Sequence, residues 1–153
     1  MSHSARLTGL GLTLPAVPAP VAAYVPAVRE GDLVFTSGQL PFVDGALPAT
    51  GKVGAQVDAE QAQQLAATCV LNAVAAAASV LPGGIDDIAQ VVKVTGFVAS
   101  APDFTGQPGV VNGASTLLGE VFGEAGVHAR SAVGVAVLPL DSPVEVEIVV
   151  RVR

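Results

Sequence analysis

The chain has 153 residues, of which 51% are apolar and 13% charged, with a net charge of -6; this is enough for one domain with a full core. The acidic balance argues against a nucleic-acid partner, which demands a basic footprint, and a mean hydropathy of +0.61 points to a surface partly hidden in an oligomer. A single cysteine excludes an internal disulfide, and two histidines are too few for a His/Cys metal centre.

Residues 1–20 are rich in Pro, Gly and Ala and read as an extended arm, with Pro15, Pro18 and Pro20 forbidding a helix and His3 in a loose tail. The apolar run Leu7–Leu14 is broken by Gly9 and Gly11, unlike a signal peptide, and the expected location is cytoplasmic. One domain is expected over residues 21–153. Ala22–Val28 and Leu33–Ser37 are short strand candidates joined at Arg29-Glu30-Gly31-Asp32, where Gly31 permits a positive φ. Gly38–Gly54 is a long loop punctuated by Pro41, Asp44-Gly45, Pro48 and Gly51, and such loops are more often functional or interfacial than spacers. Gly51-Lys52 within it lacks phosphate-loop spacing.

Asp58 opens a helix as N-cap, with a buried stripe at Ala62, Leu65, Ala66, Cys69, Ala73, Val74 and Ala77, and Pro82-Gly83-Gly84 ends it. Its uncharged stretch Leu65–Leu81 is alanine-rich and too short for a membrane span, so a buried core helix with a buried Cys69 thiol is expected. Ile85–Ala89 reads as one further turn with Asp86 and Asp87 as capping groups. Val91–Val98 is a strand with Val92, Val94 and Val98 on one face and Lys93, Thr95 and Phe97 on the other. Ser100–Gly106 turns, with Asp103 as a potential cap, into a second helix over Val110–Phe122, buried through Val111, Leu117, Leu118, Val121 and Phe122.

Arg130–Val137 is the next strand. Val133, Val135 and Val137 form a face suited to the core, and Arg130, Ala132, Gly134 and Ala136 form a face of small residues with one long cation. Small residues admit close approach by another backbone or a ligand. Leu140–Pro143 then turns into the strand Val144–Val150, with Val144, Val146, Ile148 and Val150 on one face and Glu145 and Glu147 on the other. The order β-β-α-β-α-β-β predicts an α+β two-layer sandwich, its sheet covered on one face by two helices. The opposite face, assigned Lys93, Arg130, Glu145 and Glu147 among apolar residues, suits a subunit interface with a polar pocket.

Tyr24-Val25, Thr36-Ser37-Gly38-Gln39, Val111-Asn112, Ala129-Arg130-Ser131 and Val144-Glu145-Val146-Glu147 occur in order. Together they resemble the RidA (YjgF) family of reactive-intermediate deaminases over about Val21–Val150. The resemblance implies a chorismate-mutase-like fold, with homotrimers whose sheets form a central barrel and clefts between subunits. It implies hydrolysis of 2-imino and 2-enamino acids to 2-oxo acids and ammonia, without a metal or organic cofactor. It further implies that Arg130 pairs with the substrate carboxylate, a role suited to its planar fork. Glu145 would hold the attacking water, and Tyr24, Ser37, Gly38, Asn112 and Ala132 would line the cleft. Ala132 stands where the family commonly has cysteine, and Gly134 where many deaminases have an acidic residue, which marks a divergent branch.

Each assignment has a plainer counterpart. Arg130 can serve a structural salt bridge to Glu145 or Glu147, Glu145 an interface ion pair, and Tyr24 simple packing. Ser37 has no sequence-adjacent triad partner and reads as a hydrogen-bonder. His128 reads as a packing residue at the loop-to-strand junction, with assistance to proton transfer as its functional alternative. Lys93 can neutralise a glutamate or face solvent. A trimer that binds small carboxylates without turnover is the alternative function. An isomerase reading rests on architecture alone and needs more cations than this chain offers. No nucleic-acid or membrane partner is expected.

Overall fold

The computed structural model describes residues 1–19 and 22–153, so the expected boundary between arm and domain, at residues 20 and 21, lies outside the described residues. The elements are α1 (His3–Gly9), β1 (Ala27–Glu30), β2 (Leu33–Thr36), α2 (Ala59–Ala78), β3 (Ile88–Ala99), α3 (Gln107–Phe122), β4 (Ala129–Val135) and β5 (Val144–Val152). Five strands form one mixed sheet in the order β1-β2-β5-β3-β4. Every pairing is antiparallel except β3 with β4, whose crossover is α3. The helices α2 and α3 lie on one face of the sheet, as the sequence predicts. Among the described residues, no helix is long and apolar enough to cross a membrane.

Local chemistry starts and stops the main helix where expected. The Asp58 carboxylate accepts from the Gln61 amide at 2.8 Å and caps α2. The whole predicted stripe of α2 is buried, and so are Ala75, Ala76 and Ala78, so its last turns are enclosed on all sides. Cys69 is fully buried, with its Sγ–H directed at the Val144 carbonyl at 3.6 Å. Burial raises the thiol pKa well above its usual value, and the Glu145 charge raises it further. At the predicted β1–β2 turn, Glu30 pairs with Leu33 across Gly31 and Asp32, and Gly31 takes φ +62. The first strand is shorter than expected and begins at Ala27. α3 begins at Gln107, ahead of the predicted Val110, because Pro108 suits a helix's first turn; Gly106 rather than Asp103 occupies the cap position.

The arm is not wholly extended, and this corrects the expectation for residues 1–20. His3–Gly9 form α1, because the prolines begin only at Pro15 and Ser2 caps the helix through the Ala5 amide at 3.1 Å. Seven residues make a helix too short to persist alone, so docking holds it. The Ser4 amide and hydroxyl both donate to the Asp86 carboxylate, at 2.9 and 2.6 Å. His3 is anchored rather than loose: its Nε2 meets the Ile88 carbonyl at 3.0 Å, and its ring lies 4.7 Å from that of Phe122. Leu7 joins the core. Asp86 thus clamps the N-terminal helix, while Asp87 accepts from the Gly83 amide at 2.6 Å.

Two of the predicted strand faces need correction. In β3 the register against β5 shifts between Ile88 and Gln90 and again between Val91 and Lys93. Each bulge adds a residue, so Ile88, Val91 and Val94 all point inward at intervals of three, and Val92 is left 39% exposed. In β4 the pairing of Arg130 with Val94, Ala132 with Gly96 and Gly134 with Val98 turns the small-residue face toward the helices. Val133 is 42% exposed and belongs to the open face with Lys93 and Glu145. The cause is the closeness of α3. A Cβ added at Gly96 would collide with Val111 of α3, and one at Gly134 would lie 2.8 Å from Gln107 Nε2. Valines do not fit in that gap, whereas Ala132 does and packs on the core.

Two tests follow from this packing. Gly113→Ala drives a methyl into the Gln63 backbone of α2, whereas Gly119→Ala, on the same helix, meets nothing within 4 Å. The first substitution lowers stability by about 1–3 kcal/mol through overpacking, while the second raises it by up to about 1 kcal/mol through helix propensity. Denaturant unfolding of both variants checks this, and equal effects would contradict the close helix–helix contact. The Ser4 hydroxyl and then its amide hold the Asp86 carboxyl below its usual 3.8. A lowered folded-state value contributes stability above the unfolded pKa that is lost as pH falls through the folded one. Asp86→Asn therefore lowers Tm near neutral pH, and the gap to the parent closes in acid below that range. A gap unchanged in strong acid would contradict the clamp.

Candidate functional site

Arg130 sits near the start of β4, an edge strand of the sheet, with its side chain on the face toward α3. Its Nη1 donates to Asn112 Oδ1 at 2.7 Å and to Ser115 Oγ at 3.2 Å. Asn112 and Ser115 are one helical turn apart and share a face of α3. Both hydrogens of Nη1 are thereby used inside the protein. The Nε and Nη2 hydrogens have no partner among the described residues, and together they form the side of the fork that matches a carboxylate bidentately. No carboxylate of the described residues pairs with Arg130, so its plainer reading as half of a structural ion pair with Glu145 or Glu147 does not hold within one chain.

Behind this contact stands His128. Its Nδ1 lies 2.5 Å from the Gly126 carbonyl and its Nε2 lies 2.9 Å from Ser115 Oγ. A carbonyl only accepts, so in the neutral imidazole Nδ1 carries the proton and Nε2 is the acceptor. The Ser115 hydroxyl then donates to His128 and accepts from Arg130. Ser115 is the residue that sequence reasoning missed. Its position three residues after Asn112 on a helix was the available signal.

The other predicted residues gather on the opposite face. Glu145 pairs with Phe97 across the β3–β5 ladder, on the same side as Lys93 and Thr95. It is half-buried beside Gly38, where an added Cβ would collide with its carboxylate. Burial raises its pKa, the Glu147 charge raises it further, and no donor or cation among the described residues pulls it back. Ser37 bridges strand and loop: its hydroxyl donates to the Val25 carbonyl at 2.7 Å, and its amide donates to Pro26 at 2.8 Å. These bonds hold the segment carrying Tyr24, whose ring is 64% exposed. Lys93 donates to Ser131 Oγ at 2.9 Å rather than to a glutamate.

The predicted site is therefore two half-sites. Arg130, Asn112 and Ala132 lie on the helix side at the β4 edge, and Ser37, Gly38 and Glu145 lie on the open side. Arg130 and Glu145 are two strands and about three residues apart along the sheet, roughly 14 Å by strand spacing and rise, and on opposite faces. One chain does not bring them together. A cavity of about 580 Å³ lies elsewhere, under the arm between Pro15, Pro18, Phe42 and Asn72, and contains none of the two half-sites' side chains.

Comparison with known proteins places this geometry. The family model for Endoribonuclease L-PSP matches residues 15–152. Protein TCP17 of Trypanosoma cruzi is 44% identical over 151 residues, covering 98% of this chain and 94% of that protein. The 2-iminobutanoate/2-iminopropanoate deaminase of Escherichia coli K12 is 35% identical over 130 residues, covering 85% of this chain and 88% of the enzyme. The crystal structure of Atu1372 from Agrobacterium tumefaciens, a protein of unknown function, superposes with a TM-score of 0.92 at 44% identity, covering 99% of this chain and 92% of that one. With its chorismate-mutase-like α+β sandwich and a family match over nearly its whole length, the chain belongs to the Endoribonuclease L-PSP family, the RidA (YjgF) family that its Arg130 and Gly38 motifs resemble.

Proposed function

We propose that this protein hydrolyses reactive 2-imino and 2-enamino acids to 2-oxo acids and ammonia, in a cleft completed between subunits of a homotrimer. The observation that carries the reading is the Arg130 guanidinium: one nitrogen is tied to α3, and the carboxylate-matching edge is left for a ligand. The 35% identity to an E. coli imine deaminase supports the substrate class. The trimer is supported by the split of the half-sites across the sheet and by the apolar open face, where Phe35 is 46% and Val133 42% exposed.

The chemistry asks little of the protein. Arg130 would hold the substrate carboxylate, which fixes C2 of the iminium in the cleft. Glu145 would take a proton from water as its oxygen bonds to C2, giving a carbinolamine. The same proton passes to the nitrogen, the C2–N bond breaks and ammonia leaves, while the carbinolamine hydroxyl gives its own proton to the Glu145 carboxylate as the C2 carbonyl forms; that proton then leaves with the ammonia as ammonium. A carboxyl with a raised pKa is suited to both taking and returning that proton. Gly38 keeps the space beside Glu145 clear of a side chain. Tyr24 and Ser37 would shape the wall, Asn112 would steady Arg130, and Ala132 would contribute backbone and surface without a thiol. No cofactor enters these steps.

A second reading is carboxylate binding without turnover. It is favoured by one observation: Arg130 can recognise a carboxylate by itself, whereas Glu145 stands on the other face of the same chain.

Three measurements test these readings. In the first, 2-iminopropanoate generated by an amino-acid oxidase decays faster with the protein than with buffer, and Arg130→Ala lowers kcat/KM by about 10²-fold or more, the loss of a charged bidentate contact. Arg130→Lys recovers only a small part of it. Decay at the buffer rate with the parent protein rejects the deaminase, and a Tm raised by pyruvate under those conditions supports the binding reading. In the second, Gly38→Ala, which displaces Glu145, cuts kcat with little change in the Tm shift given by pyruvate. Unchanged kcat would remove Glu145 from the reaction. In the third, the pH–rate profile of Glu145→Gln loses the acid limb seen in the parent, because the parent's base is protonated as pH falls through its raised pKa.

A further inference from the structure

The Arg130 contact does not end at Ser115. The hydrogen bonds run in one direction, from the guanidinium Nη1 to the Ser115 oxygen, from the Ser115 hydroxyl to His128 Nε2, and from His128 Nδ1–H to the Gly126 carbonyl. Each group is both donor and acceptor except the two ends, a cation that only donates and a carbonyl that only accepts. The polarity of the chain is therefore fixed by its ends. Gly126 is itself held. It closes the turn Gly123–Gly126 after α3, and a Cβ there would collide with the Leu118 carbonyl, so the turn is pressed against the helix that carries Ser115.

We infer that Ser115 and His128 are positioning residues for Arg130, forming a relay that fixes the guanidinium plane and so aims its Nε–Nη2 edge. The inference rests on the reading of Arg130 as the anchor for a substrate carboxylate. Asn112 alone holds Nη1 at one hydrogen and leaves the plane free to turn about that contact. Ser115 holds the second hydrogen and defines the plane. His128 orients the Ser115 hydroxyl so that a lone pair, rather than the proton, faces the cation. With the imidazole reversed, Nε2–H would point at the serine oxygen, and the hydroxyl proton would be directed toward Arg130. The relay is built from α3, the turn that follows it and the first residues leading into β4, so it forms only when those segments dock.

Ser115 is partly exposed on a helix, so Ser115→Ala keeps the fold and removes only the hydroxyl. Two kinds of measurement are needed, one independent of activity. In ¹⁵N-labelled protein the His128 ring nitrogens report the tautomer, and the Arg130 Nη signals report rotation about the Cζ–Nη1 bond. The relay predicts a proton on Nδ1 in the parent, a mixed tautomer in Ser115→Ala, and rotation about tenfold faster in Ser115→Ala and His128→Ala, corresponding to the loss of about 1.4 kcal/mol. Ser115→Thr restores the slow rotation. In the imine assay, Ser115→Ala raises KM about tenfold with kcat changed less than twofold, since the carboxylate contact is equal in ground and transition states. Adding His128→Ala to Ser115→Ala costs nothing further, because both act on one contact.

A proton on Nε2 of His128 in the parent, or Arg130 rotation unchanged by Ser115→Ala, overturns the relay. So does a full additional KM loss in the double variant. If the parent hydrolyses no imine while the tautomer and rotation results stand, the relay holds and the deaminase reading falls instead.

Discussion

Arg130 reaches Asn112 and Ser115 because α3 lies low on the sheet. That closeness is the constraint from which the rest of the candidate site descends. Gly96 leaves room for Val111, and Ala132 and Gly134 leave room for the first turns of α3, so the helix settles near the β3–β4 backbone. A larger residue at Gly96 or Gly134 would lift the helix and take Asn112 and Ser115 out of reach. The small residues beside Arg130 thus do structural work for the cation. They bring a helix face to it, and that face supplies two neutral acceptors in place of a carboxylate. Neutral acceptors orient a guanidinium without discharging it, which preserves its attraction for an anion.

The same sheet keeps the acidic half of the site apart. β5 lies at the centre of the sheet, with Val144, Val146, Ile148 and Val150 buried on the face covered by α2 and with Glu145 and Glu147 on the uncovered face. Glu145 is partly shielded there, beside Gly38 and near a like charge, and both influences favour its protonated form. The ionised carboxylate in that position has unmet demand for a donor or a cation. Arg130, on the other side of the sheet at its edge, has unmet demand for an anion. A second copy of the chain packed on the apolar open face and the β4 edge offers a way to bring such groups to one cleft, and this is why function and assembly are one question here.

Much of this was legible in the chain, for local reasons. The Asp58 cap, the Pro82-Gly83-Gly84 stop and the alternation of β5 are each set by residues within a few positions of one another, and all three appear as read. The misreadings have non-local causes. Val92 alternates with Val94 in sequence, but two bulges against β5 reset the phase so that Val91 faces the core. In β4 the alternation divides the residues correctly into two faces, yet which face meets the helices is decided by the space under α3, and the valines lost to the small residues. α1 is too short to announce itself by periodicity and exists through Asp86 and Phe122, far along the chain. Arg130, Asn112 and Gly38 stood out in sequence because their motifs are short and local. Ser115 and His128 did not, because their pairing closes only in three dimensions.

The central claim is that Arg130 from one chain and Glu145 from another serve the same cleft. Subunit mixing tests it most directly. Arg130→Ala and Glu145→Gln proteins are each prepared, shown to retain only residual activity, and then refolded together. If each cleft draws these residues from different chains, some mixed assemblies contain one intact cleft, and imine hydrolysis returns in the mixture. If activity stays at the level of the separate variants while mass spectrometry shows that mixed assemblies have formed, the two residues do not meet across subunits and the account is wrong.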